Sequence, residues 1–149
     1  MSDRLVFLRL LISLLLGGLV GLERQFHRRT AGLRTHILVC MGSCLIMLTS
    51  LYVFDIYKEK VNLDPARIAA GVITGIGFLG AGTIIRAGEA VKGLTTAASL
   101  WLVAGIGLAV GCGFYSASIF VTVLGLITLF FLRYIENLFF DSKIDRSEK

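Results

Sequence analysis

The sequence predicts an all-α protein, a polytopic helical membrane bundle of five transmembrane helices, and three observations lead there. Of its 149 residues, 56% are hydrophobic and 17% charged, with a mean hydropathy of +0.82. That balance leaves too little polar surface to cover a water-soluble domain. From Leu94 to Leu132 there is no Asp, Glu, Lys or Arg, and the run is about twice the roughly 20 apolar residues that cross a bilayer as a helix. Gly is frequent (17) and Pro nearly absent (1), as expected where helices approach closely in lipid.

The first apolar stretch is Leu5–Leu22, interrupted only by Arg9. Arg9 lies about one turn inside the membrane, from where its long stem reaches the interface by snorkelling. The stretch is long and shows no signal-peptide cleavage site, so it is read as a retained span. Ile37–Phe54 and Ile68–Ile85 follow, both uncharged. Asp64-Pro65 ahead of the third supplies an N-cap and then a proline at the first helical position. Leu94–Val110 and Tyr115–Leu132 are the fourth and fifth, joined by a tight turn at Gly111-Cys112-Gly113-Phe114-Tyr115-Ser116. The last helix is expected to run on through Arg133-Tyr134-Ile135-Glu136 along the interface, anchored by Phe139 and Phe140. The chain is thus one transmembrane domain, residues 1–141, with a short cytoplasmic tail, 142–149.

The formal net charge of +5 is divided among loops and tails. It reads as membrane orientation and contact with anionic lipid; no nucleic-acid partner is expected. Ten Lys and Arg fall after span 1 (Arg24, Arg28, Arg29, Arg34), after span 3 (Arg86, Lys92) and after span 5 (Arg133, Lys143, Arg146, Lys149). The other side holds five: Arg4, Arg9, Lys58, Lys60 and Arg67. The positive-inside rule then puts the N-terminus in the periplasm and the C-terminus in the cytoplasm. Cys40 and Cys44 sit one helical turn apart and Cys112 lies in the hairpin turn. Without neighbouring His or carboxylates this is a packing pattern, so no metal site and no cofactor are predicted.

No Asp or Glu lies inside any proposed span, which counts against a transporter driven through an embedded carboxylate. A cation or solute path lined by backbone carbonyls of Gly-rich segments is the rival reading. No nucleophile–base pair or ligand spacing is visible, so the chain is read as non-enzymatic. The loop from Glu23 to His36 carries four Arg and two His, and Arg86 to Gly93 lies on the same face with the start of span 4, Thr95-Thr96. These place a polar cluster at the cytoplasmic interface: Glu23, Arg24, Arg34, Thr35, His36, Arg86, Thr95 and Thr96. The plainer reading of the same groups is helix capping and topology. The two His are as well explained as surface residues as by pH sensing.

Span 3 contains a literal G-x-G-x-x-G at Gly75, Gly77 and Gly80, with no strand–turn–helix context for a dinucleotide. At 100° per residue Gly71, Gly75 and Gly82 share one side, and Gly77 and Gly80 the other. A helix smooth on two sides is expected at the centre of a bundle. Gly17 and Gly21 form a similar ridge in span 1, and Ala98, Gly105 and Ala109 in span 4. Such ridges fit packing within a protomer or a two-fold homo-oligomer. Trp101 reads as a packing or lipid-facing residue.

Four segments in order resemble the MgtC/SapB family of bacterial inner-membrane proteins. They are Gly21-Leu22-Glu23-Arg24-Gln25; Ala31 to His36; Gly77 to Arg86; and Val91 to Trp101. The resemblance implies a five-span inner-membrane protein tied to growth at low magnesium, acid stress and, in some members, virulence. It implies action through partner membrane proteins, notably the proton-translocating ATP synthase, and carries over Glu23, Gly32, Arg34, Thr35, His36, Gly80, Gly82, Arg86, Gly93, Thr95, Thr96 and Trp101 as family positions. Typical members continue into a soluble C-terminal domain; this sequence, ending at Lys149, is expected to be a short form without it.

Overall fold

A computed structural model describes residues 2–60, 62–88 and 90–132. The expected interfacial helix from Arg133, the Phe139–Phe140 anchor and the tail 142–149 lie outside the described residues. The chain forms α1 (Asp3–Phe26), α2 (Leu33–Tyr57), α3 (Ala66–Thr83), β1 (Ile85–Ala87), β2 (Ala90–Lys92), α4 (Leu94–Cys112) and α5 (Tyr115–Ile127), the last continued by a π-helical turn, Thr128–Leu132. The first four helices are each long and apolar enough to cross a membrane, and the fifth is apolar and shorter. With its π turn, α5 runs about 27 Å at 1.5 Å per residue.

Helices α2 and α4 form the centre. α2 packs along α1 on one side and α4 on the other, while α3 leans on α2 and α4 from outside. Close approach comes from missing side chains. A Cβ on Gly17 would lie 2.6 Å from Cys40 Cβ, and one on Gly21 would lie 2.8 Å from Leu33 Cα. On the far side of α2, a Cβ on Gly111 would lie 2.6 Å from Met47 Cβ, and one on Gly107 would strike the Cys40 carbonyl. Leu16, Val20, Cys40, Cys44, Leu48, Val103, Ile106 and Val110 fill the core between these ridges. Cys40 and Cys44 are buried thiols and Cys112 is exposed.

Three elements differ from expectation. α3 is peripheral, not central: only Ala69, Ile76 and Gly80 are buried, and a Cβ on Gly71, Gly75, Gly77 or Gly82 would meet nothing within 4 Å. Gly80 alone approaches a neighbour, Ala97. In lipid, glycine costs no more on an exposed face than on a packed one, so the helical wheel could not decide between them. In span 4 the close-packed small residues are Gly107 and Gly111; Gly105 faces open space. Span 3 also ends early: Ile85 joins a two-stranded antiparallel hairpin, Ile85 opposite Lys92 and Arg86 opposite Val91. Gly93 closes it at φ +93°, where a Cβ would collide with the Thr83 carbonyl.

Arg9 is captured within the bundle. Its Nη1 donates to the Gly111 carbonyl at 2.7 Å and its Nε to Tyr115 Oη at 3.2 Å. The guanidinium therefore sits on the negative end of α4 and ties α1 to the α4–α5 turn. Asp64 Oδ1 accepts the Ala66 N–H at 2.8 Å, but Pro65 stands at the N-cap of α3 and not, as expected, at its first helical position.

Candidate functional site

The polar groups gather where α1 ends and α2 and α4 begin. α1 runs four residues past the expected end of span 1, so Glu23 and Arg24 stand on a helix, not in a loop. Both are buried, as are His36 in the first turn of α2 and Thr96 and Ser99 in the first turns of α4. Arg24 Nη1 lies 3.5 Å from Glu23 Oε2, and its Nη2 donates to Thr96 Oγ at 3.4 Å. The pairing matters because a buried charge needs an opposite charge and hydrogen bonds to remain inside.

His36 is fully enclosed, with no exposed surface. Its Nδ1 donates to the Gly32 carbonyl at 2.8 Å, and its Nε2 lies 3.0 Å from Ser99 Oγ. Ser99 Oγ is also 2.8 Å from the Thr96 carbonyl. The single hydroxyl proton of Ser99 thus has two acceptors in reach, Thr96 O and His36 Nε2, and serves one at a time. The result is a hydrogen-bonded strap from α1 through Arg24 to Thr96, and from Ser99 to α2 through His36. His27 extends it outward: Nδ1 lies 2.9 Å from both the Glu23 carbonyl and Glu23 Oε1, and its ring meets Phe130 of the π turn edge-on at 6.4 Å.

Of the eight candidate residues, the fold joins Glu23, Arg24, His36 and Thr96. Arg34 and Thr35 point outward into a separate polar cleft of about 580 Å³ that Gln25, Thr30 and Gly32 also line. Gln25 Oε1 accepts the Leu33 N–H at 3.4 Å, capping the start of α2. Arg86 is exposed on the hairpin, where its Nε donates to the Gly88 carbonyl at 3.4 Å. Thr95 is exposed beside Trp101 on the α4–α5 face. Ser99 and His27 are the members that sequence reasoning missed. The signal for Ser99 was its i, i+3 spacing from Thr96, which puts both on one helical face. Among the described residues no group of three His, Cys, Asp or Glu is placed to hold a metal ion.

The sequence profile of the MgtC family matches residues 10–138. The chain is 46% identical over 124 residues to an Escherichia coli K12 protein whose full name is "Putative magnesium transporter YhiD", covering 82% of this chain and 58% of that one. It is 44% identical over 126 residues to protein MgtC of Salmonella typhimurium LT2, covering 85% and 52%. A Haemophilus influenzae protein is 39% identical over 129 residues, covering 84% and 54%. The chain therefore spans somewhat more than half the length of the curated relatives it matches. No solved structure matches.

Proposed function

Because this chain belongs to the MgtC family, we propose that it is a non-enzymatic protein of the bacterial inner membrane that acts by engaging a partner membrane protein in adaptation to low magnesium or acid stress. The family resemblance suggests the ATP synthase as that partner. The charge asymmetry of the loops supports a periplasmic N-terminus and a cytoplasmic C-terminus.

One observation carries the reading. The two polar sites, Arg24–His36 at one end and Arg9 at the other, each meet partners within the bundle. The layer between them is filled by Val20, Cys40, Cys44, Val103, Ile106 and Val110. A solute crossing between helices α1, α2 and α4 would have to part that packed layer. A contact made by the exposed basic end, Arg28, Arg29, Arg34 and Arg86, leaves it undisturbed. The test is co-purification of the full chain with the ATP synthase from native membranes, without detergent exchange. Wild type is expected to retain the synthase and Arg34→Glu to lose most of it at an unchanged level of folded protein. No enrichment over an unrelated five-span protein would refute the partner.

The second reading is magnesium transport, favoured by the name of the Escherichia coli relative. It requires Mg²⁺ flux into proteoliposomes holding this chain alone. Flux well above protein-free vesicles, abolished by a packing change such as Gly107→Leu, would replace the partner reading.

A further inference from the structure

The face between α2 and α3 is built to receive something. A groove of about 610 Å³ opens there, lined by Leu38, Gly42, Ser43, Gly71, Gly75 and Leu79 among others. A Cβ on Gly42, Gly71 or Gly75 would meet nothing within 4 Å, so the bare backbone of both helices forms the floor. In the midst of this floor sits a hydroxyl without a partner. Ser43 is 4% exposed, and among the described residues its Oγ makes no hydrogen bond. Of the other buried hydroxyls, Ser13, Ser50, Ser99, Ser118 and Thr122 each lie within hydrogen-bond reach of a backbone carbonyl as donors, and Thr96 accepts from Arg24. An unmade hydrogen bond in an apolar medium is costly. A lipid chain filling the groove offers no acceptor, whereas a glycine-bearing helix offers bare backbone carbonyls.

We propose that the groove is the homodimer interface of this protein, occupied by α3 of a second copy. Two properties single out a second copy. Both copies enter the membrane in one orientation, so a two-fold axis along the membrane normal lays α3 parallel to α3, the arrangement in which small-x-x-x-small ridges associate. The surface is also self-complementary: Phe78, less than one turn from Gly75, projects outward with 83% of its surface exposed, a knob adjoining the hole. Two-fold pairing seats each Phe78 against the opposite copy's groove. Helix α3 is the least covered of the four long helices, with 22% of its apolar window buried against 33–50% for the others, and it carries no charge from Ile68 to Ile85.

The dimer and the partner reading stand independently. The test uses the full chain in a Cys112→Ser background, which leaves only the buried thiols Cys40 and Cys44. Gly75→Cys is oxidised in native membranes beside Phe120→Cys, an exposed position on α5. Disulfide-linked dimer at Gly75→Cys, at least five-fold above Phe120→Cys, is the expected result. In parallel, wild type in lipid nanodiscs should weigh as a dimer and Gly71→Leu/Gly75→Leu as a monomer. A Cβ at either position meets nothing within 4 Å in the protomer, and both positions line the open groove, so the double variant should keep its fold. A monomeric wild type, a dimer that survives both leucines, or cross-linking no better than at Phe120 would overturn the assignment. Should the double variant not fold, the cross-linking comparison decides alone.

Discussion

Glu23 and Arg24 are neighbours in sequence whose charges are both sealed inside the helix junction, and each depends on the other. Removing one partner of a buried pair strands the remaining charge, which costs about 3–5 kcal/mol. Arg24→Ala should therefore lower the denaturation midpoint of the purified protein sharply. Arg24→Met combined with Glu23→Gln should recover most of it, because no lone charge then remains. Denaturant titration in detergent micelles reads both. Ser99→Ala takes one contact from His36 and should cost about 1 kcal/mol. At the other end, Arg9→Gln gives up a charge-assisted bond to the Gly111 carbonyl, worth about 1.5–3 kcal/mol, while Tyr115→Phe should cost less than half as much. Charge alone made Glu23, Arg24 and Arg9 visible in the sequence. Their destinations were not visible, because a lone arginine one turn inside a span can reach either headgroups or a helix end, and the choice is made by α4, which lies a hundred residues on.

The helices divide by what their glycines touch. In α4, Gly107 and Gly111 lie against Cys40, Ser43 and Met47 with no room for a methyl group. Overpacking of that kind costs about 1–3 kcal/mol, so Gly107→Ala should destabilise the bundle. Gly77→Ala and Gly82→Ala fill open space and gain helix propensity, up to about 1 kcal/mol each; they should leave the midpoint unchanged or raise it. The three variants in one titration series separate a packed ridge from a bare one. Sequence gives the spacing of such ridges and not their neighbour. Ala98, Gly105 and Ala109 made an equally good small-residue stripe in α4, yet the ridge that meets α2 is Gly107–Gly111. The hairpin after α3 was hidden for another reason: three-residue strands are too short to show an alternation.

Over the whole chain, five apolar helices and their order along the sequence could be read directly, since lipid imposes length and hydrophobicity on each span. Their order in space could not, because in lipid the outer face of a helix is as apolar as its inner face. The topology proposed from the charge count is testable with the native thiol. Cys112 is exposed at the Arg9 end, so a membrane-impermeant maleimide should label it in intact spheroplasts. Arg34→Cys, in a Cys112→Ser chain, should label only after lysis; the reverse pattern would invert the molecule.

The crossing of α1, α2 and α4 at Cys40 has a consequence for how the bundle can be watched. Its sulfur lies against Gly17 of α1 and its carbonyl against Gly107 of α4, and the residue has no exposed surface, so no alkylating reagent can arrive until the helices draw apart. The rate at which that thiol is modified in unperturbed membranes is then a clock for spontaneous breathing of the fold. It ticks without any introduced label, and any ligand or partner that tightens the assembly will slow it.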